Sequence, residues 1–146
     1  MTMAATDRSS NVRLWFSRLL IAIVVIWNLQ CALVFFLHPE MFAPGFELTG
    51  IPGAVAVRGT AVLFAMWNVP YLVALWHPRR YRISLWESLV MQFVGLVGES
   101  AIWFMLPVGH AVLGMSILHF IVFDIAGLVL LAVAVWLAHI KKELPR

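Results

Sequence analysis

AVLGMSILHFIVFDIAGLVLLAVAVWLAH, residues 111–139, contains one Asp, Glu, Lys or Arg, and that residue is Asp124. About 20 consecutive apolar residues suffice to cross the hydrocarbon core of a bilayer as a helix, so this stretch predicts a transmembrane span. Working outward, three more apolar stretches share its character: Arg13 to Leu37, Ala54 to Trp76 and Ser84 to Leu106. The chain is 63% hydrophobic and 12% charged. A soluble domain is about half apolar and about a quarter charged, so the blocks define the class. The expected fold is all-α, an integral membrane four-helix bundle.

Residues 13–139 form the expected transmembrane domain. Residues 1–12 are polar and aperiodic, which predicts a disordered cytoplasmic N-terminus, and 140–146 form a short cytoplasmic tail. The first apolar stretch is longer than the core of a secretory signal and lacks a small-x-small cleavage site, so it reads as a retained helix. Positive charge sets the topology. Arg8, Arg13 and Arg18, then Arg79, Arg80 and Arg82, then Lys141, Lys142 and Arg146 flank the spans at one end, and the other end's loops carry no Lys or Arg. This pattern marks the cytoplasmic side, with both termini there, in a bacterial inner membrane. The same placement argues against nucleic acid as a partner, because no basic groove interleaved with aromatics lies outside the spans.

The connecting segments carry their own signals. HPEMFAPGFELTGIPG, residues 38–53, breaks any continuous helix with Pro39, Pro44 and Pro52 yet stays apolar, which predicts a cap folded onto the bundle. HPRRYR, residues 77–82, is short and basic, and Ser84 with Glu87 matches a capping box. Glu87 is expected to cap its helix or to pair with the neighbouring arginines. Pro70 is expected to bend the second span.

Ionisable groups inside hydrocarbon are costly, so Arg58, Glu99, His119 and Asp124 nominate a site. Helical rise places Arg58, Glu99 and His119 in an outer layer with Asn28 and Gln30. It places Asn68, Gln92 and Asp124 in a deeper layer, about 20 Å from the outer ends. Arg58 and Glu99 lie at similar depths and could form a buried ion pair locking the second and third spans. Alternatively, Arg58 could hold an anionic group while Glu99 or His119 exchanges protons. Asp124 reads either as a neutral acid hydrogen-bonded to Asn68 or Gln92, or as part of a proton or cation path. Its spacing of five from His119 turns the two about 140° apart on the helix, so one shared site is not required.

Other chemistry finds less support. No metal is expected, since no HxxxH, ExxH or HxH spacing gathers ligands on one face. Ser100 lacks a nucleophile-elbow setting. Cys31 stands alone, which excludes an internal disulfide and CxxC redox chemistry. Trp15, Trp76, Trp86, Trp103 and Trp136 suit the membrane interface, whereas Trp27 and Trp67 lie deeper and could line an apolar pocket with methionines. Small residues, including Ala61, Ala65, Gly95, Gly98 and Gly127, let helices approach closely.

Val57-Arg58-Gly59 after a Pro/Gly-containing loop, and Val94-Gly95-Leu96-Val97-Gly98-Glu99 after a basic, proline-bearing turn, resemble the order of features in the DoxX-like group of small four-helix membrane proteins. The resemblance implies a compact four-helix bundle, in a group linked to redox and stress physiology. It does not map Glu99, His119 or Asp124 onto a known mechanism.

The leading expectation is a membrane protein whose polar intramembrane site, drawn from Arg58, Glu99, His119, Asp124, Asn68 and Gln92, binds a small molecule or conducts protons or ions. The alternatives are a membrane enzyme acting on a quinone or isoprenoid, and a structural subunit of a larger complex. No motif identifies a cofactor. The lipid bilayer is the expected partner, with a second copy of the chain or a membrane-complex subunit left open.

Overall fold

Residues 2–139 are described by the structure, a computed structural model, with side chains from Asn11 onward. The elements are α1 (Thr2–Leu37), α2 (Pro39–Phe42), a 3-10 turn (Ala43–Phe46), α3 (Gly50–Trp76), α4 (Arg82–Met105) and α5 (Ala111–His139). Four stretches, Asn11–Leu37, Gly50–Trp76, Arg82–Met105 and Ala111–His139, are long and apolar enough to cross a membrane. A helix of 27 residues, the length of the first two, extends about 40 Å, more than a bilayer core of about 30 Å.

Several boundaries differ from expectation. Residues 2–12, expected to be disordered, continue α1 as helix, because no glycine or proline interrupts them. The tail at 140–146 lies outside the described residues. The second span starts at Gly50 instead of Ala54, since Pro52 and Gly53 fit a first helical turn that needs few N–H donors. The third starts at Arg82, with Tyr81 at the N-cap making no side-chain cap bond. The Ser84–Glu87 capping box is therefore absent. Ser84 lies inside the helix, where its carbonyl accepts the Ser88 hydroxyl at 2.8 Å.

The four long helices form a closed ring in which α1 packs on α3, α3 on α4, α4 on α5 and α5 on α1. The backbones of the diagonal pairs stand apart, and side chains fill the middle, Phe64 of α3 lying 6.0 Å from Phe120 of α5. Each helix is apolar around most of its circumference, and large residues such as Leu33, Met66, Phe93 and Val129 face outward. That inversion suits hydrocarbon surroundings, where an outward leucine costs nothing. Two apolar clusters fill the inside. One, toward the 77–81 turn, contains Ile21, Val24, Tyr71, Leu85 and Leu131. The other, toward the 38–49 segment, centres on Phe35 with Val57 and Ala61, and Phe42, Phe46, Phe64 and Phe120 pack around it. Gln92 and Asp124 lie between these clusters in helix register.

Three arginines finish helices that other elements leave open. The last carbonyls of a helix have no partner within it and attract cations. Arg58 Nε donates to Phe36 O at 3.2 Å, Arg18 Nε to Leu75 O at 3.1 Å, and Arg79 Nε to Ala138 O at 3.2 Å. These carbonyls belong to the last turns of α1, α3 and α5 respectively.

The 38–49 segment folds onto the bundle, as the sequence leads one to expect. The Ser116 hydroxyl donates to Gly45 O at 2.6 Å, and a Cβ at Gly45 would stand 2.9 Å from that hydroxyl. Glu47 closes the segment in the left-handed region, at φ 56. One of its carboxylate oxygens bonds the His110 ring, and the other accepts the Leu113 N–H at 3.4 Å in the first turn of α5.

Glu47 makes this latch sensitive to acid. The His110 hydrogen bond holds its carboxyl below the usual 4.5. Local desolvation opposes that shift, and the Leu113 N–H and the His110 charge reinforce it. A carboxyl lowered in the folded state stabilises the latch above its unfolded value, and that contribution is lost as pH falls through the lowered value. A spin label at Glu40→Cys, in a Cys31→Ser background, should be immobile at neutral pH and gain mobility only below the ordinary glutamate range. With Glu47→Gln added, its mobility should no longer depend on pH over that acid range.

Candidate functional site

A hydrogen-bonded chain crosses three helices at the level between the two apolar clusters. The Tyr71 hydroxyl of α3 donates to Gln92 Oε1 of α4 at 2.9 Å, and Gln92 Nε2 donates to Asp124 Oδ1 of α5 at 2.7 Å. Tyr71 is 1% exposed and Gln92 4%. An ionised Asp124 can only accept, so the amide turns its nitrogen to the acid and its oxygen to the phenol.

Glycines make the close approach possible. A Cβ on Gly95 of α4 would stand 2.6 Å from Asp124 Oδ2, and a Cβ on Gly127 of α5 would stand 2.8 Å from Gln92 Nε2. Each polar side chain thus sits over the other helix's glycine. The sequence holds this as a repeated polar-x-x-Gly, Gln92-Phe-Val-Gly95 and Asp124-Ile-Ala-Gly127. Three residues apart on a helix is one face, so antiparallel α4 and α5 place each motif's polar end against the other's glycine.

Asp124 also lines a cavity of about 170 Å³, with Asn28, Cys31, Phe64, His119, Phe120 and Phe123. A second cavity of about 320 Å³ adjoins it under the 38–49 cap and is lined by Phe35, Met41, Phe42, Gly45, Phe46 and Ser116. Cys31, His119 and Phe120 line both. The paired cavities therefore run from an aromatic roof, where Phe46 stacks on Phe120 at 6.0 Å, down to a carboxyl group held by an amide.

The residues nominated by the sequence separate on this geometry. Gln92 and Asp124 come together. His119 and Asp124 line one cavity despite their angular separation, because the cavity wraps around the α1-facing side of α5. Asn68 is fully buried, but its amide nitrogen bonds Phe64 O of its own helix at 2.7 Å, and its oxygen Oδ1 has no hydrogen-bond partner among the described residues. It does not join Gln92 or Asp124; Tyr71, one helical turn further along α3, makes that bond instead.

Arg58 and Glu99 form no ion pair among the described residues. Arg58 is turned to the end of α1 and is exposed, while Glu99 is half-buried on α4, with Oε2 shielded and without a hydrogen-bond partner. Matching depth did not make them neighbours, since α3 presents Arg58 toward α1 and not toward α4. Glu99 lies within electrostatic range of Asp124. Glu87 neither caps α4 nor pairs with an arginine among the described residues. Trp27 and Trp67 do not line the paired cavities: Trp27 packs on Phe123 at 5.9 Å, and Trp67 lies beside Gly95. The large apolar side chains lining the cavities are phenylalanines and Met41. Among the described residues no group of three His, Cys, Asp or Glu could hold a metal ion.

No protein-family model matches the chain, and no curated protein or solved structure matches it either.

The reciprocal glycines are testable by size. Gly95→Ala and Gly127→Ala should each displace the Gln92–Asp124 pair and cost about 1–2 kcal/mol, the range model peptides give for interhelical hydrogen bonds in membranes. Gly98→Ala, where a Cβ meets nothing within 4 Å, should be neutral or slightly stabilising. Thermal unfolding in detergent measures all three.

Proposed function

We propose that the chain is a multi-pass protein of a bacterial inner membrane, with both termini cytoplasmic, that binds one small and largely apolar molecule in the paired cavities. The observation carrying this reading is that two adjoining cavities share Cys31, His119 and Phe120 and end on Asp124. Small-molecule sites are mostly apolar with a few placed polar groups, and span about 300–1,000 Å³, a range the two cavities together enter. Phenylalanine rings would hold a flat or isoprenoid body. Asp124, held by Gln92, would meet a carbonyl or hydroxyl, and His119 would offer a second hydrogen-bonding group at the junction. A quinone or isoprenoid alcohol has that make-up.

A second reading is favoured by the Tyr71–Gln92–Asp124 chain, with Glu99 close by. A bound redox molecule would exchange its proton at Asp124, and the chain would orient that carboxyl. This would make the protein a membrane enzyme or an enzyme subunit. The Val57–Arg58–Gly59 motif supports the proposed likeness to the DoxX-like group in architecture only, since Arg58 finishes α1 and stands apart from the cavities.

Cys31, the sole cysteine, reports directly on occupancy. Decylubiquinone added to detergent-purified protein should slow alkylation of Cys31 by N-ethylmaleimide in a saturable manner. Phe120→Trp, which narrows both cavities at their junction, and Asp124→Leu should each weaken that protection at least tenfold in quinone concentration. Alkylation at the same rate with and without quinone, in a folded and reactive protein, rules this ligand class out.

A further inference from the structure

Between α1 and α5 the paired cavities reach the side of the bundle. Met41 on the cap lines the larger cavity and is 72% exposed, whereas Phe35, on the inner wall of the same cavity, is 5% exposed. The exposure of Met41 therefore comes from outside the bundle, and this side chain stands at a mouth. His119 on α5 lines both cavities and is exposed as well, while Cys31 on α1 lines both and is half-buried. Four residues below each of these, Trp27 packs on Phe123 and closes the seam. The opening is thus framed by Met41 above, by Cys31 and His119 at its sides and by the Trp27–Phe123 pair beneath.

Such a mouth faces hydrocarbon. His119 lies about 12 Å along α5 from Ala111, and a helix of 29 residues overhangs a bilayer core by only about 7 Å at each end. Its ring makes no hydrogen bond or ion pair among the described residues. A polar group turned toward lipid without a partner is costly, and such groups mark pathways and binding sites. The cavities, of about 170 and 320 Å³, hold a body of drug size, and a long prenyl tail exceeds them. We propose that they take the head of a long-tailed quinone or isoprenoid alcohol, which enters sideways through the α1–α5 seam and leaves its tail in the bilayer between Met41 and His119. His119 meets the head at the threshold, and Asp124 meets it at the far end. The cap is then a fixed roof, since this route breaks neither the Ser116–Gly45 bond nor the Glu47 latch. The inference rests on the paired cavities being a ligand site and adds to it the route and the tail.

Protection of Cys31 from N-ethylmaleimide in lipid nanodiscs, compared among tail-less duroquinone, decylubiquinone and a ubiquinone with a long polyprenyl tail, tests the route. All three should protect, the long-tailed quinone at the same membrane mole fraction as decylubiquinone. Met41→Trp and His119→Trp narrow the mouth from two sides. Each should raise the long-tailed quinone needed about tenfold more than the duroquinone needed, a differential of about 1.4 kcal/mol. Glu47→Gln, which loosens the cap, should leave protection by the long-tailed quinone as it is. A membrane-impermeant sulfonated maleimide, applied without quinone, should label Cys31 far more slowly than N-ethylmaleimide does. Protection by duroquinone and decylubiquinone but not by the long-tailed quinone would overturn the side exit and leave the ligand site standing. Rapid labelling by the impermeant reagent, rising with Glu47→Gln, would overturn it too and put the entrance at the cap. Protection by none of the three quinones, in a folded and reactive protein, would remove the ligand site and the route together.

Discussion

The hydrogen bond from Gln92 to Asp124 is the interaction on which the interior of this bundle depends. In hydrocarbon, apolar side chains gain nothing by leaving lipid for protein, so helices associate through close packing and polar contacts. Here the two coincide. Gly95 and Gly127 bring α4 and α5 near enough for the bond, and the bond occupies the space the glycines leave. Tyr71 extends the same link to α3, so one amide side chain ties three of the four long helices. The fourth, α1, is held by other means: Ser17 donates to Ala134 O at 2.9 Å, Arg58 finishes its last turn, and Phe35 lies in the aromatic cluster.

This arrangement explains why the cavities lie where they do. The polar link consumes α4, α5 and one face of α3, leaving α1 and α5 to face each other across Asn28, Cys31, His119 and Phe120. Above them the proline-interrupted cap supplies Phe42 and Phe46 and is pinned to α5 through Ser116 and Glu47. Asp124 serves both sides, anchoring the helix contact through Oδ1 and forming part of the cavity wall. A group with these two duties could respond to a ligand and to helix packing together.

Much of the architecture was legible from charge and length alone. Four blocks with only one or two charges each match four long helices, the prolines at 39, 44 and 52 marked the cap, and the apolar character of residues 41–51 foretold its folding onto the bundle. The pairings were less accessible, because depth along a helix is readable from 1.5 Å per residue while the facing direction depends on which neighbours the ring selects. Arg58 and Glu99 share a depth and not a direction. Asn68 shares a depth with Gln92, yet Tyr71 faces it. The repeated polar-x-x-Gly of α4 and α5 was the signal that could have singled out Gln92 and Asp124. It requires reading the two helices as an antiparallel pair. In the sequence Arg18 and Arg79 mark a side of the membrane and Arg58 suggests an anion site or an ion pair, whereas a neighbour's unpartnered carbonyl is the nearer use for each.

A double-mutant cycle on Gln92 and Asp124, with Gln92→Leu, Asp124→Leu and the pair together unfolded reversibly in mixed micelles, addresses the central interaction most directly. Two side chains joined across α4 and α5 should show a coupling of at least about 0.6 kcal/mol, the average for such bonds in double-mutant cycles, whose largest value is about 1.7 kcal/mol. Additive losses, with no coupling between the two positions, would contradict the account.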